Sequence, residues 1–185
     1  MTCKKSPKKK KVYSAQKNLN ALLEKHKRGI RLDIGCGHNK QNGYIGLDIS
    51  PVKGVDIVHD AEEVPYPLPD ECCATILVSH LVEHICPKKF LSVMAEWWRL
   101  LQTGGQLLIA TPYAGSFGFF QDPTHCNPCN EATWHYWDPN HPLYQIYKPK
   151  PFKVERNAWF ENGNLEVVLQ KLPISADGPK LRRVK

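Results

Sequence analysis

Ile30-Arg31-Leu32-Asp33-Ile34-Gly35-Cys36-Gly37 is the stretch on which the fold of this chain turns. Its isoleucines and leucine read as a short strand, and the glycines at its end permit a tight turn and close backbone approach to a ligand. Tyr44-Ile45-Gly46-Leu47-Asp48-Ile49 follows as a second strand and Val55-Asp56-Ile57-Val58 as a third. Ala74-Thr75-Ile76-Leu77-Val78-Ser79 is an apolar run of the kind buried on both faces, and Gln106-Leu107-Leu108-Ile109-Ala110 is a fifth strand. Between them Pro87 opens a helix whose apolar face is Phe90, Leu91, Met94, Trp97, Trp98 and Leu101, and Gly104-Gly105 ends it. Ahead of the first strand, Ser14 caps a helix carrying Ala15, Leu19, Leu22, Leu23 and His26, which Gly29 closes. Two closing strands, near Phe152–Phe160 and Leu165–Gln170, are joined by Glu161-Asn162-Gly163-Asn164, whose Asn-Gly favours a tight hairpin. The pattern predicts an α/β sandwich: a seven-stranded, mostly parallel sheet ending in an antiparallel hairpin.

The chain has 185 residues, 42% hydrophobic and 23% charged, which suits one globular domain and excludes a disordered or collagen-like chain. No apolar run approaches the ~20 residues of a membrane span. The N-terminal charge comes without the apolar stretch of a signal peptide, so a cytoplasmic location is expected. Seven cysteines, an odd number with no export signal, are expected as reduced thiols. The net charge of +7 sits at the ends: residues 1–11 hold six lysines and residues 180–185 four Lys or Arg, with no acid in either. Residues 12–179 are left with fifteen basic against eighteen acidic side chains, a net of −3, so no basic surface for nucleic acid is indicated on the fold. The expected organisation is a basic disordered tail over 1–13, one folded domain over 14–172 with 112–151 as an insertion or cap, and a basic tail over 173–185. The lysine tail offers weak contact with RNA or an anionic surface, or simply solubilises the chain.

Ligands of open parallel sheets bind at the carboxyl ends of the strands, beside the point where strand order reverses. The first strand delivers Asp33 and the Gly35-Cys36-Gly37 turn, the second Asp48, where a carboxylate can accept both hydroxyls of a ribose. Asp60-Ala61 after the third strand is placed to meet an adenine amino group. A dinucleotide site would want a glycine at position 40, where Lys40 stands, and an acid arriving later than Asp48. A ligand with ribose and adenine but no pyrophosphate suits the spacing better.

Five words in this order resemble the class I S-adenosylmethionine-dependent methyltransferases: Leu32-Asp33-Ile34-Gly35-Cys36-Gly37, Gly46-Leu47-Asp48-Ile49, Asp60-Ala61, Ser79-His80-Leu81-Val82-Glu83-His84-Ile85 and Leu101-Gln102-Thr103-Gly104-Gly105-Gln106-Leu107. The resemblance implies the Rossmann-like methyltransferase sandwich and S-adenosyl-L-methionine as cofactor. It implies that Gly35, Cys36 and Gly37 pass under the cofactor's amino-acid part, with Asp33 orienting its ammonium group. Asp48 and Ile49 would meet the ribose, Asp60 and Ala61 the adenine, and Ser79, His80 and Leu81 would lie beside the sulfonium.

The fourth strand lacks the Asn/Asp-Pro-Pro-Tyr/Phe word of DNA amino methylases and the Pro-Cys pair of cytosine methylases. The Leu-x-Glu-His word instead resembles the branch acting on small molecules and lipids or quinones, which implies methylation of oxygen, nitrogen or carbon in such an acceptor. An RNA or protein acceptor, or a catalytically silent binding module, is the alternative. Glu83 and His84 themselves read better as residues that fix the next helix. Asp122-Pro123-Thr124-His125 leads into the cap, and His125 is the first candidate for a general base, His80 the second. Alternatively His125 holds the cap by bonding loop backbone. Cys126 and Cys129 form half of a zinc knuckle without a partner pair at usual spacing, so no metal is expected. Trp134, Tyr136, Trp137, Tyr144 and Tyr147 either wall the acceptor pocket or form the small core of the insertion. If the lysine tail serves a partner, deleting residues 1–11 removes RNA retention in a filter assay and leaves cofactor affinity unchanged; loss of both refutes the separation.

Overall fold

The computed structural model describes residues 23–24 and 29–174. The first helix expected from sequence lies outside the described residues except for Leu23 and Glu24, which are helical, and so do residues 1–13 and 175–185. Seven strands form one sheet: β1 (Ile30–Ile34), β2 (Ile45–Asp48), β3 (Ile57–Val58), β4 (Cys73–Ser79), β5 (Leu101–Pro112), β6 (Phe152–Trp159) and β7 (Asn164–Lys171), in the order β3-β2-β1-β4-β5-β7-β6. The pairs from β3 through β5 are parallel, whereas β7 runs antiparallel to both β5 and β6. The expected hairpin is present, with β7 inserted between β5 and the outer β6.

β1 lies between two parallel neighbours, Asp33 standing beside Gly46 and Leu77, which puts it in the interior of the sheet. Leu32, Ile34, Leu47, Ile76 and Val78 are accordingly buried. Strand order reverses between β1 and β4, which opens a crevice at their carboxyl ends. All the residues named as a site in the sequence sit on or after strand ends that face this crevice, apart from those of the cap.

Helix α1 (Pro87–Leu100) starts with proline at its first turn and buries Phe90, Val93, Met94, Trp97 and Leu100, three or four residues apart. Two details differ from the sequence reading. Leu91 is exposed and Val93 takes its place in the core. The helix ends at Leu100 rather than at Gly104-Gly105, because Leu101 already pairs with Cys73 of β4 and its carbonyl accepts the Lys171 ammonium at 2.6 Å. The intervening residues bulge out of the ladder before Gln106 rejoins Thr75.

The segment between β3 and β4 is held to α1 by a buried polar knot. The Tyr66 amide donates to Glu96 Oε1 (2.7 Å), its hydroxyl donates to the Ala61 carbonyl (2.8 Å), and Trp97 Nε1 donates to that hydroxyl (3.1 Å). Arg99 closes the knot on Glu96 and Asp70. Ala61 is thereby fixed at the mouth of the crevice by a residue of the core. Tyr66→Phe leaves the Ala61 carbonyl and the Trp97 indole without their partner. A loss of about 1–3 kcal/mol in unfolding free energy is expected, read as a lower urea midpoint with unchanged slope.

Candidate active site

Gly35 (φ 74°) and Gly37 (φ 48°) turn the chain out of β1 in the left-handed region that side chains avoid. A Cβ on Gly35 would press on Leu81 at 3.1 Å, whereas one on Gly37 would enter open space. The Gly37 amide donates to Asp48 Oδ2 (2.9 Å) and the Ser50 amide to Asp48 Oδ1 (2.8 Å). The carboxylate at the end of β2 thus ties two loops together, and each oxygen keeps a lone pair for a ligand. Asp33 lies below, buried, its Oδ2 accepting the Gln41 amide (2.9 Å). Burial raises its pKa above the ordinary carboxyl value, against the lowering effect of that hydrogen bond. Burial, with Asp33 and Asp48 nearby, likewise pushes the Cys36 thiol up to about 11, so it is inert packing.

Gly35, Asp48, Ile49, Asp60, Ala61 and Leu81 line one cavity of about 200 Å³, together with His59, Glu62, His84 and Ile85. Asp60 Oδ1 also accepts the Glu62 amide at 2.9 Å, so it serves as a turn residue as well as a wall. Glu62 Oε1 accepts the Cys86 amide (2.6 Å), which ties this wall to the start of α1 and lowers the Glu62 pKa. Asp33 and Cys36 shape the turn rather than the wall, and Ser79 is exposed at the end of β4.

His80 faces a second cavity of about 740 Å³, shared with Glu83, His84, Asp122, His125 and the hairpin turn Asn162–Asn164. His84 lines both cavities. His80 adopts φ 52°, unusual outside glycine, and its amide donates to the Ala110 carbonyl (2.8 Å). Its Nδ1 stands 3.3 Å from Glu83 Oε1, and that carboxylate raises the His80 pKa above the ordinary value despite partial burial of the ring.

Glu83 and His84 occupy a 3₁₀ turn, Val82–His84. Glu83 is 1% exposed. Its Oε2 accepts the Thr111 hydroxyl (3.0 Å), and its carbonyl accepts the amides of Cys126 (2.8 Å) and Asn127 (3.0 Å). His125 Nδ1 lies 2.7 Å from the Phe119 carbonyl. A carbonyl only accepts, so Nδ1 carries a hydrogen, and in the neutral ring Nε2 bears the lone pair. Asp122 Oδ2 is 3.9 Å from that Nε2. His125 therefore bonds loop backbone and presents a basic nitrogen, and the two sequence readings of it are compatible.

The remaining aromatic residues divide differently. Trp134 and Trp137 are buried against Phe90 of α1, their ring centroids 6.3 and 5.3 Å from it, and they join the main hydrophobic core rather than a core of their own. Cys129 is buried and Cys126 exposed, and among the described residues neither joins a group of three close metal-binding side chains. Among the described residues no helix is long and apolar enough to cross a membrane.

The sheet is parallel from β3 through β5 and turns antiparallel only at β7, with a crevice at the point where strand order reverses. Residues 32–109 match the family model described as a methyltransferase domain. A SAM-dependent methyltransferase from Archaeoglobus fulgidus is similar in fold, at 20% identity and a TM-score of 0.55, over 86% of this chain and 94% of that one. The antibiotic-resistance methyltransferase Kmr is similar at 16% identity and 0.58, over 85% and 93%. A Burkholderia thailandensis 1,6-didemethyltoxoflavin-N1-methyltransferase, solved with 1,6-didemethyltoxoflavin and S-adenosylhomocysteine bound, is similar at 13% and 0.55, over 88% and 81%. No curated protein matches the chain in sequence. Residues 32–109 thus match a methyltransferase domain, and the chain shares its fold with methyltransferases that depend on S-adenosylmethionine.

The cavity fits that group: Gly37 leaves the space above the turn open, Asp48 has unused lone pairs, and Ile49 offers a 63% exposed apolar surface beside them. Asp48→Ala should weaken S-adenosylhomocysteine binding by about 1–3 kcal/mol, the cost of hydroxyls left without acceptors. Isothermal calorimetry at unchanged protein stability measures it, and an unaltered affinity removes Asp48 from the site.

Proposed function

We propose that this methyltransferase delivers its methyl group to an oxygen, nitrogen or carbon of a small polar molecule held in the larger cavity. The observation that carries the reading is His84, whose side chain lies on the wall of both cavities, so the two compartments adjoin at the carboxyl ends of β1, β4 and β5. The larger cavity is lined by His80, Glu83, Asp122, His125, Asn162 and Asn164, a wall that suits a polar acceptor better than an acyl or isoprenoid chain. The toxoflavin-type relative, whose structure holds a small molecule beside the spent cofactor, supports the same class.

Bound in the smaller cavity, S-adenosylmethionine would supply a methyl group activated by its sulfonium. We assign the glycine turn, Asp48, Ile49, Asp60 and Ala61 to holding it. What the chain itself must do is align a nucleophile and exclude water. The cap, fastened through the amides of Cys126 and Asn127 to Glu83, closes one side of the acceptor cavity. Where the acceptor is a hydroxyl or ammonium group, His125 Nε2 is placed to receive its proton. His80, held towards its cationic form by Glu83, suits an acceptor that carries negative charge.

Cell extract incubated with the protein and methyl-labelled cofactor tests the acceptor class. Label in a small polar molecule is expected; label in RNA, protein or lipid overturns the class, and no label with intact S-adenosylhomocysteine binding indicates a silent module. With the acceptor in hand, His125→Ala should lower turnover by roughly 10²–10⁴.

A further inference from the structure

We propose that Glu83, His84 and His125 form a site for a divalent transition-metal ion on the wall of the acceptor cavity, and that the acceptor binds this ion through oxygen. The inference rests on the acceptor reading of that cavity. One ligand atom from each residue lies within 4.8 Å of the others. Atoms about 2.1 Å from an ion are roughly 3–3.5 Å from one another, so the three close by an ångström or so when they take one up.

Both imidazoles are held in the tautomer that a metal needs. The Thr124 hydroxyl donates to Asp122 Oδ1 (2.7 Å), so its contact with His84 Nδ1 (3.1 Å) must be an acceptance. His84 Nδ1 therefore carries the hydrogen, as His125 Nδ1 does against the Phe119 carbonyl, and both Nε2 atoms bear lone pairs. An oxygen partner on the far nitrogen of each ring is the arrangement that orients ligating histidines.

The third ligand gives an independent sign. Glu83 Oε2 is taken by Thr111, but Oε1 is buried without a hydrogen bond, on a residue that lines the cavity. Its nearest charged partner is His80 Nδ1 at 3.3 Å, an ion pair outside hydrogen-bond geometry on a ring that is mostly exposed, so Oε1 keeps lone pairs for an ion. A buried carboxylate compensated only by that exposed ring gains from a second cation. Asp122, with Oδ2 3.9 Å from His125 Nε2, adds a second carboxylate, and two anionic groups with two neutral imidazoles balance a divalent charge. Two histidines and one carboxylate with open positions suit zinc, iron, cobalt or manganese better than magnesium. The open positions face the acceptor cavity and fit a molecule that offers two neighbouring oxygens, such as a hydroxy acid or a vicinal diol. A resident ion also recasts His125 as a ligand rather than a base. The ligands come from two segments separated by α1 and β5, so no sequence spacing reveals them.

The test uses the full chain freed of metal by chelation, titrated with zinc by calorimetry and with cobalt(II) by visible absorption. S-adenosylhomocysteine binding is measured in parallel as the check on folding. The expected result is one zinc per chain and a cobalt spectrum without a thiolate charge-transfer band. His125→Ala should lower zinc affinity by at least about 100-fold and Thr124→Val, which removes the hydroxyl shared by His84 Nδ1 and Asp122 Oδ1, by roughly 10–100-fold. Absence of zinc binding, a thiolate band, or unchanged zinc affinity in a His125→Ala protein that still binds S-adenosylhomocysteine overturns the site. Acetohydroxamate, an oxygen chelator, should change the cobalt spectrum; no change overturns the acceptor's ligation to the ion. Zinc failing to bind while labelled small-molecule product still forms would sink the metal and leave the acceptor reading intact. Zinc binding with label found only in RNA or protein would do the reverse.

Discussion

The burial of one carboxylate organises the functional half of this molecule. Glu83 follows the end of β4 and has almost no contact with solvent, which is tolerable only if its polar atoms find partners. Its side chain takes the hydroxyl of Thr111 from the end of β5, and its carbonyl takes two successive amides of the cap. Asn127 returns a bond to the Val82 carbonyl at 3.1 Å. Strand end, turn and cap therefore share one desolvated anchor. The cap is otherwise made of helices of three or four residues, which are too short to be stable alone. It keeps its place because Glu83 needs it and because Trp134 and Trp137 bury themselves against α1.

The parallel part of the fold is legible because its constraint is simple. A strand with neighbours on both sides sends apolar side chains into the core, and Ile30, Leu32 and Ile34 of β1 and Cys73, Ile76 and Val78 of β4 say so. The end of α1 is not legible, because glycine is a strong local signal while the tertiary signal that prevails is distant. Leu101 leaves the helix to pair with Cys73, and its carbonyl meets an ammonium supplied by Lys171, seventy residues later. Residues 112–151 resist reading for a related reason. Their structure is dictated by caps and side-chain bonds, such as Asn130 accepting the amides of Ala132 and Thr133, and such bonds leave no period in the sequence.

The site divides along the same line. Gly35, Asp48, Ile49, Asp60, Ala61 and Leu81 follow strand ends, and the sheet brings strand ends together whatever the loops do. His84 is a different case, since the residue types suggest a structural role and the structure grants that role mainly to its neighbour Glu83. A 3₁₀ turn directs the two side chains differently, one into the core and one onto the wall shared by two cavities. His80 faces the larger cavity rather than the smaller one, and its left-handed backbone conformation redirects the chain after β4.

The two outermost strands have a bearing on how the protein behaves in a crowded solution. An exposed strand edge is a template on which another chain can add, and long flat edges invite aggregation. β3 offers only Ile57–Val58 at one border, too little to seed a ladder. At the other, β6 is broken in register between Val154 and Arg156 and carries Lys153, Glu155 and Arg156 in succession. The irregularity twists the border and the charges must be desolvated before a foreign strand can pair there. Ending the sheet on β6, with the more apolar β7 drawn inside, therefore protects the molecule from self-association along its edges as well as completing its core.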